Sequence, residues 1–470
     1  MHNGAMANER GSGPDRATTR AWQAIGGAAD LVERVSYRGA GEVLPAALPV
    51  RELARATVGA CSLAAAELLA VRNGGPVPGV PVDEGAVATA FVSERHLLVD
   101  GRKPTSFAPL SGFWRAADGW VRTHANYPHH RARLLSALGL GTGTGPDGLA
   151  EELLSRTAHQ IQETVYAQGG LAVAMAPVPG PGGGPGGAGE FTAAGLPLAG
   201  FETLGGVGDR RLPPAALPAA GVRVLDLTRV IAGPVATRTL ALLGADVLRV
   251  DAPGLPEDPD SHTDTGTGKR STLLDLATDE GRSTFEALLD TADAVVTGYR
   301  PGALDRHGLV AEELIARRPG LVVAQLCAWG WTGPWAERRG FDSLVQAASG
   351  IAAIEAGPDG RPGALPAQAL DHGTGYLLAA GVLRALTERQ ADGRGRRLRF
   401  SLAGTAGWLL NGIDPEPAAE GGYDAGAWLT GAASPYGPLR YALPPVRYEG
   451  GPGDWAAPAT RWGSDPALWL

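Results

Sequence analysis

The chain has 470 residues, which is enough for two or three domains with hydrophobic cores. Its net charge of −8, without a basic stripe, argues against nucleic acid as a partner. Two cysteines, Cys61 and Cys327, exclude a disulfide framework and a cysteine metal cluster, and the nine histidines show no zinc-like spacing, so we expect no metal. No apolar run spans a bilayer and none near the start is of signal-peptide type, so we expect a soluble cytoplasmic protein with no membrane partner.

The first part of the chain predicts a mixture of helices and strands. Residues 1–30 begin polar and glycine-rich and are predicted to be disordered. In residues 31–175 we expect helices over 64–71, 128–138 and 149–168. Asp118-Gly119, within 114–123, is a hairpin-turn signal. Residues 176–220 are rich in glycine and proline and are predicted to form a linker.

Strand and helix patterns alternate over residues 221–410. Short apolar strands are predicted at 222–227, 247–250, 272–276, 294–296 and 321–324, with helices between them. This alternation predicts an α/β fold with a Rossmann-like, doubly wound parallel sheet, and a ligand crevice at the carboxyl ends of its strands. Residues 411–470, rich in Gly, Pro and Trp, are expected to be irregular.

Residues 221–410 contain six motifs in order: Gly221-Val222-Arg223-Val224-Leu225-Asp226-Leu227-Thr228-Arg229-Val230-Ile231-Ala232-Gly233-Pro234, Leu243-Gly244-Ala245-Asp246-Val247-Leu248-Arg249-Val250, Gly268-Lys269-Arg270-Ser271 followed by Leu274-Asp275-Leu276, Gly298-Tyr299-Arg300-Pro301-Gly302-Ala303-Leu304-Asp305-Arg306, Gly330-Trp331-Thr332-Gly333-Pro334 and Gly340-Phe341-Asp342. These motifs resemble, in the same order, those of the family III CoA-transferases (CaiB/BaiF-like), a family that also includes the α-methylacyl-CoA racemases. The resemblance implies a large CoA-binding catalytic domain with a smaller α+β domain, and an acyl-CoA and a small carboxylic acid as substrates.

The family's nucleophilic aspartate falls on Asp371. The resemblance implies that its carboxylate attacks the thioester, that an aspartyl-acyl anhydride forms, and that an acceptor carboxylate takes the CoA. A carboxylate at a helix N-terminus is expected to be held ionised, and Gly373 and Gly375 to let backbone amides approach an oxyanion. The alternative is that Asp371 is only the N-cap of a helix over 375–389.

The CoA-binding positions carried over by the motifs are Arg229, Val230, Ala232, Lys269, Arg270, Tyr299 and Arg306. Basic side chains near strand ends suit the phosphates of CoA, and a tyrosine suits its adenine. The alternative is a solvated basic rim. The first strand–helix turn lacks the glycines of a dinucleotide fingerprint, which argues against NAD.

Two alternative functions remain open. A 2-methylacyl-CoA racemase or epimerase needs a histidine at the position of Phe341, and phenylalanine carries no proton. His372, beside Asp371, is expected at the surface or the helix cap. A non-catalytic CoA-binding homologue is the third possibility.

The order of the chain is unusual for this resemblance. Residues 31–175 are similar to a degenerate back half of the same family, with its small domain at 106–138, and that segment is missing after Leu410. Residues 56–70 align with 371–385, which places Ala56 opposite Asp371. Because the family forms interlocked dimers, we expect a homodimer, with the small domain completing the Asp371 site within one chain or between two.

Overall fold

The computed structural model describes residues 15–105, 107–180 and 191–470. The helices are α1 Arg16–Ala24, α2 Val50–Asn73, α3 Glu84–Phe91, α4 Ser93–His96, α5 Pro128–Ala137, α6 Pro146–Leu154, α7 Ala158–Ala167, α8 Ala232–Leu242, α9 Pro259–Thr265, α10 Asp279–Leu289, α11 Ala311–Arg317, α12 Asp342–Ala348, α13 Ile351–Ile354, α14 Ala369–Asp392 and α15 Leu402–Asn411. Short 3₁₀ helices cover Ala29–Arg34, Asp305–His307 and Ala425–Trp428. The strands are β1 Val35–Arg38, β2 Val80–Asp83, β3 Leu98–Val99, β4 Phe113–Arg115, β5 Trp120–Thr123, β6 Ala172–Ala174, β7 Gly200–Val207, β8 Arg223–Leu227, β9 Asp246–Asp251, β10 Arg270–Leu273, β11 Ala294–Thr297, β12 Val322–Cys327, β13 Arg394–Ser401, β14 Leu429–Ser434 and β15 Gly437–Ala442.

A seven-stranded sheet forms the centre of the fold, in the order β10-β9-β8-β11-β12-β13-β7. All neighbours pair in parallel except β7, which is antiparallel to β13. The order therefore reverses between β8 and β11, and a crevice opens beyond the carboxyl ends of these two strands. The mixed α/β class with a parallel sheet is confirmed.

Helices α2 and α14 form the buried axis of the molecule. Each has 24 residues, and each ends at a glycine in the left-handed conformation, Gly74 or Gly393. They pack against each other, and α14 also packs on α8. Among the described helices, α2 alone is long and apolar enough to cross a membrane, but 89% of its most apolar window is buried inside the protein. Its apolar surface is thus that of a core helix.

A smaller sheet of three antiparallel strands, β4-β5-β6, packs with α5, α6 and α7 around a separate core. Phe113 pairs with Arg122, which confirms the predicted hairpin around Asp118-Gly119. The predicted helix over 149–168 is two helices, because Thr157 forms a capping box that starts α7. This sheet meets α12 of the main fold through β5 and β6.

The secondary structure differs from the prediction in three terminal or linking segments. Residues 16–24, predicted to be disordered, form α1, because Asp15 caps the helix and Trp22 is fully buried. The predicted linker contains β7, which extends the main sheet, while residues 181–190 of it lie outside the described residues. The segment expected to be irregular contains the hairpin β14–β15, which β3 extends. The domain boundaries themselves stay predictions.

Candidate active site

Asp371 lies in the first turn of α14. The helix begins at Ala369 after Gln368, which makes no side-chain cap, so the interpretation of Asp371 as the N-cap is wrong. Asp371 is 6% exposed. Its backbone N–H donates to Oδ2 of Asp342 at 2.9 Å. Asp342 begins α12, and this bond therefore holds the starts of two helices together with two carboxyl groups between them.

Both carboxyl groups of this pair have raised pKa values. Burial raises the pKa of Asp342 to about 6, against the hydrogen bonds that it accepts from Asp371 and Gln346. The pKa of Asp371 lies well above its ordinary value because of burial, then of the charges of Asp342 and Glu94. Within the described ranges no hydrogen-bond donor reaches the Asp371 carboxylate. The expectation that the helix N-terminus holds it ionised is therefore wrong, since desolvation and like charge outweigh the dipole.

His372 is not at the surface. It is 1% exposed and stacks on Phe91, with 5.3 Å between the ring centroids. Its Nε2 lies 3.8 Å from Oε2 of Glu94. The short helices α3 and α4 carry these two partners and cover this side of α14, which the sequence around His372 alone gives no sign of.

The small sheet approaches the aspartate pair within the same chain. The ring of His124, which follows β5, stacks on Phe341 at 3.7 Å between centroids and an interplanar angle of 3°. Tyr127 donates from its hydroxyl to Glu257 at 2.7 Å, and the Arg229 guanidinium lies 5.2 Å from its ring. Residues of 106–138 therefore help to build the surroundings of Asp371 without a second chain.

The glycines after Asp371 serve packing. A Cβ on Gly375 would lie 2.5 Å from the Ala232 carbonyl oxygen, and a Cβ on Gly373 would lie 3.2 Å from Leu53. Both positions face neighbouring helices because α14 is enclosed by α2 and α8. The expectation that they let backbone amides approach an oxyanion stays a prediction.

Four predicted CoA positions come together at the crevice between β8 and β11. Arg229, Val230 and Ala232 follow β8, and Tyr299 follows β11. Val230 has φ of 72°, an unusual left-handed conformation for a branched side chain. Backbone strain of this kind concentrates at functional sites. Arg229 is already bonded to the carbonyls of Leu255 and Pro256, which orients its side chain.

The other three predicted CoA positions do not form one surface with them. Lys269 is 3% exposed and its Nζ lies 3.0 Å from Asp226, and burial lowers its pKa to about 8. Arg270 pairs with Asp246 at 2.8 Å and donates to the Leu468 carbonyl. Arg306 is exposed. The motif positions of Lys269 and Arg270 thus stabilise the sheet and the C-terminal segment, because a carboxylate lies within reach of each cation.

The sequence analysis missed a basic cluster at the junction of the two parts of the chain. A cavity of about 450 Å³ is lined by three arginines and two glutamates together with small and aromatic residues: Arg300, Arg338, Arg339, Glu163, Glu337, Tyr166, Ala167, Gly169 and Gly170. Arg338 is paired with Glu163 at 2.9 Å. Burial, then the charges of Arg300 and Arg133, lowers the pKa of Arg339. Arg300 and Arg339 stand inside or beside the family motifs, but single arginines carry little information in a chain with 41 basic residues.

The α2 copy of the aspartate helix retains a carboxylate. Aligned by their ends, the two 24-residue helices place Glu52 opposite Asp371, whereas the sequence alignment predicts Ala56 there. The two alignments differ by four residues, about one helical turn, which keeps the same face of the helix. The duplication itself stays a prediction. Glu52 is paired with Arg51 and accepts from the Glu416 N–H at 3.0 Å. The Glu52 carboxylate is therefore already bound by groups of its own chain.

No group of histidine, cysteine and carboxylate side chains suited to a metal ion occurs in the described part of the chain. Both cysteines are free and buried. What the fold and site define is an α/β protein with a crevice at the strand-order reversal and a buried pair of carboxyl groups at the adjoining helix ends.

Comparison with known proteins shows what this part of the chain is similar to. Residues 219–437 match the sequence model of CoA-transferase family III. The chain is 38% identical over 191 residues to "Probable fatty acyl-CoA transferase Rv3272" of Mycobacterium tuberculosis, covering 38% of this chain and 48% of that protein. It is 35% identical to formyl-CoA:oxalate CoA-transferase of Rhodopseudomonas palustris, covering 39% and 45%, and 34% identical to succinate–glutarate CoA-transferase of Agrobacterium fabrum, covering 39% and 51%.

Solved structures give partial matches. The crystal structure of Rv3272 matches with a TM-score of 0.39 and 35% identity over 41% of this chain and 56% of that one. A CAIB/BAIF family protein from Brucella suis matches with a TM-score of 0.39 and 28% identity over 47% and 65%. The chain spans about half the length of the curated relatives it matches. The match of residues 219–437 to the model of CoA-transferase family III confirms the resemblance for that part of the chain.

Proposed function

We propose that the protein is a CoA-transferase that moves CoA between an acyl-CoA thioester and a small carboxylic acid, with Asp371 as the nucleophile. The observation that carries the proposal is the buried carboxyl of Asp371, paired with Asp342 and one helical turn from the close contact of Gly375 with Ala232. Ala232 lies at the crevice where such sheets bind ligands. The seven-stranded sheet then serves as the Rossmann-like CoA-binding domain, and the sheet β4-β5-β6 with its helices as the smaller domain.

In this proposal an oxygen of Asp371 attacks the thioester carbonyl, the carbon–sulfur bond breaks, and CoA leaves as the thiolate. The product on the protein is a mixed anhydride of Asp371 and the acyl group. The thiolate then attacks the aspartyl carbonyl, which releases the acyl group as a free carboxylate and leaves an aspartyl-CoA thioester. The acceptor carboxylate attacks this thioester to give a second mixed anhydride and free thiolate, and the thiolate attacks the acceptor's acyl carbon, which forms the new acyl-CoA and regenerates the Asp371 carboxylate. Desolvation suits this step, because a poorly solvated carboxylate is a stronger nucleophile once it has lost its proton. The proton has to leave Asp371 first, so acylation is expected to speed up as the pH rises.

The CoA moiety has two regions to occupy. The crevice turn at Arg229, Val230 and Ala232 with Tyr299 suits one part of it. The cluster of Arg133, Arg300 and Arg339 suits phosphate groups, since burial and mutual repulsion of these cations are relieved by an anion. Lys269 and Arg270 contribute to the folded sheet in this proposal.

A transferase is favoured over a racemase. Phe341 offers no titratable group, and the two imidazoles packed on it, His124 and His130, have pKa values lowered to about 3 by burial. Neither is matched to proton transfer near neutral pH. Incubation with 2-methylacyl-CoA in D₂O is therefore expected to give no deuterium at the α-carbon. Incorporation of deuterium would favour the racemase function instead.

Mass spectrometry of the protein with a panel of acyl-CoAs and hydroxylamine tests the mechanism. A hydroxamate or an acyl adduct on Asp371 is expected, and none in Asp371→Ala. CoA binding without any adduct would point to the non-catalytic alternative. The homodimer and the cytoplasmic location belong to the same proposal, and sedimentation and cell fractionation test them.

A further inference from the structure

Arg122 is an isolated cation on the inner face of the small sheet. It lies in the middle strand β5, opposite Phe113 of β4 and Val173 of β6. Its neighbours Val121 and Thr123 are fully buried on the other side of the strand. Alternation along the strand therefore directs Arg122 and His124 to the face that meets α12.

The guanidinium of Arg122 has ring neighbours but no anionic partner in contact. It lies 5.2 Å from the centre of the Phe107 ring and 5.0 Å from that of Phe113. Its Nε is buried without a hydrogen-bond partner. Among residues 15–105, 107–180 and 191–470, no hydrogen bond or ion pair engages the guanidinium. Burying the Nε–H donor without a partner is unfavourable, and the two terminal nitrogens, which are not buried in this way, can still bind a ligand.

Arg122 also lies near the aspartate pair. His124, the next residue on its face, stacks on Phe341, which directly precedes Asp342. The negative charge of Asp342 acts on Arg122 and partly offsets the effect of burial, which lowers its pKa to about 10. Asp342 itself holds the backbone of Asp371. The cation thus lies on the side of the small sheet that faces Asp342, the partner of Asp371.

We propose that Arg122 binds a carboxylate of the substrate, and so selects for it. This rests on the proposed CoA-transferase function. The carboxylate belongs either to the acceptor acid or to the far end of a dicarboxylic acyl chain. Both would give the planar guanidinium the paired hydrogen bonds that the protein does not supply, while the aromatic rings on its faces keep it oriented. The CoA phosphates have their own cations at Arg300 and Arg339.

The experiment measures binding, so that it does not depend on turnover. In Asp371→Asn protein, titration calorimetry compares glutaryl-CoA with pentanoyl-CoA, which have the same chain length but differ in the terminal carboxylate. A second titration adds propionate to the complex with CoA. All three titrations are repeated with Arg122→Gln and with Arg122→Lys. Lysine keeps the positive charge but cannot form the paired hydrogen bonds of a guanidinium. The matched control is Arg115→Gln, an exposed arginine of the same sheet over the Trp120 ring.

We expect Arg122→Gln to weaken one carboxylate-dependent binding step by about 10- to 100-fold, the range of a lost charge-assisted hydrogen-bond pair. Loss for glutaryl-CoA but not pentanoyl-CoA identifies the acyl chain, and loss for propionate identifies the acceptor. Arg122→Lys should lose less than Arg122→Gln, and Arg115→Gln should change binding less than twofold.

Two outcomes overturn the assignment. They are wild-type-like binding of all ligands by a folded Arg122→Gln, and an equal loss for pentanoyl-CoA and glutaryl-CoA. The proposed function fails separately if no acyl-CoA gives an adduct on Asp371. Absence of any thioester binding refutes both, whereas thioester binding without an adduct leaves the role of Arg122 to these titrations.

Discussion

Replacing Asp371 by asparagine is expected to stabilise the protein at neutral pH while abolishing acylation. The pKa of Asp371 is raised in the folded state, so the unfolded chain releases its proton at lower pH than the folded protein does. The stabilising effect of the buried, protonated carboxyl is complete below the ordinary pKa of 3.8 and is lost as the pH rises through the folded-state value. Asparagine does not titrate, and its variant has no such loss.

The size of such an effect can be worked out for Asp342, the partner of Asp371. Its pKa rises from the ordinary 3.8 to about 6, which at about 1.4 kcal/mol per pH unit corresponds to about 3 kcal/mol. An unfolding entropy of about 2 cal/mol/K for each of the 470 residues converts this free energy to about 3 °C in Tm for a variant in which Asp342 no longer titrates. The pKa of Asp371 is raised as well, so we expect Asp371→Asn to raise the Tm at pH 7.5 in the same direction.

The assay is thermal unfolding of wild type and Asp371→Asn between pH 4 and pH 8. The difference in Tm should be small at pH 4 and grow with pH. Asp209→Asn, in an exposed loop, is the matched control and should show no such trend. A difference that is independent of pH, or a variant less stable than wild type at pH 7.5, would refute the reasoning about the buried pair.

Three further results are expected. Glu94→Gln removes one of the charges that raise the pKa of Asp371, so the pH midpoint of hydroxylamine trapping should move to lower pH; an unchanged midpoint would contradict this. Lys269→Met leaves the buried carboxylate of Asp226 without its ion pair and should lower the free energy of unfolding in urea by about 3–5 kcal/mol. A stable variant with weakened CoA binding would instead show that Lys269 binds CoA. Arg339→Gln should weaken CoA binding by about tenfold at low salt, and little at high salt, as calorimetry at the two ionic strengths will show; equal affinity to wild type would remove the cavity from the site.

Much of the central sheet was predictable, because each buried parallel strand is a short apolar run bounded by helix signals. Val224, Val247 and Val295 lie in such runs, and all are buried in the sheet. The motif order located the crevice residues for the same reason, since the ends of β8 and β11 follow directly from the strand pattern. These are local signals that depend on few distant contacts.

The electrostatic state of the site was not predictable, because it depends on which distant groups share a buried volume. The pairing of Asp371 with Asp342, and the cover of His372 by Glu94, join residues far apart in sequence. A lysine in a family motif gives no sign that it forms an ion pair with a carboxylate 43 positions away, as Lys269 does with Asp226. The sequence alignment of α2 with α14 is ambiguous for another reason, because the many alanines of α2 allow more than one alignment of the two helices.

The small sheet and helix α14 lie in one polypeptide, so the surroundings of Asp371 that they form do not depend on the protein concentration. In an assembly of separate subunits, the fraction with complete sites falls as the protein concentration falls, by mass action. Here the small sheet that faces Asp342 and the helix that carries Asp371 are tethered in one polypeptide, so their encounter has a fixed effective concentration. Activity per molecule should therefore be the same at nanomolar and micromolar protein, whatever the chain's state of association.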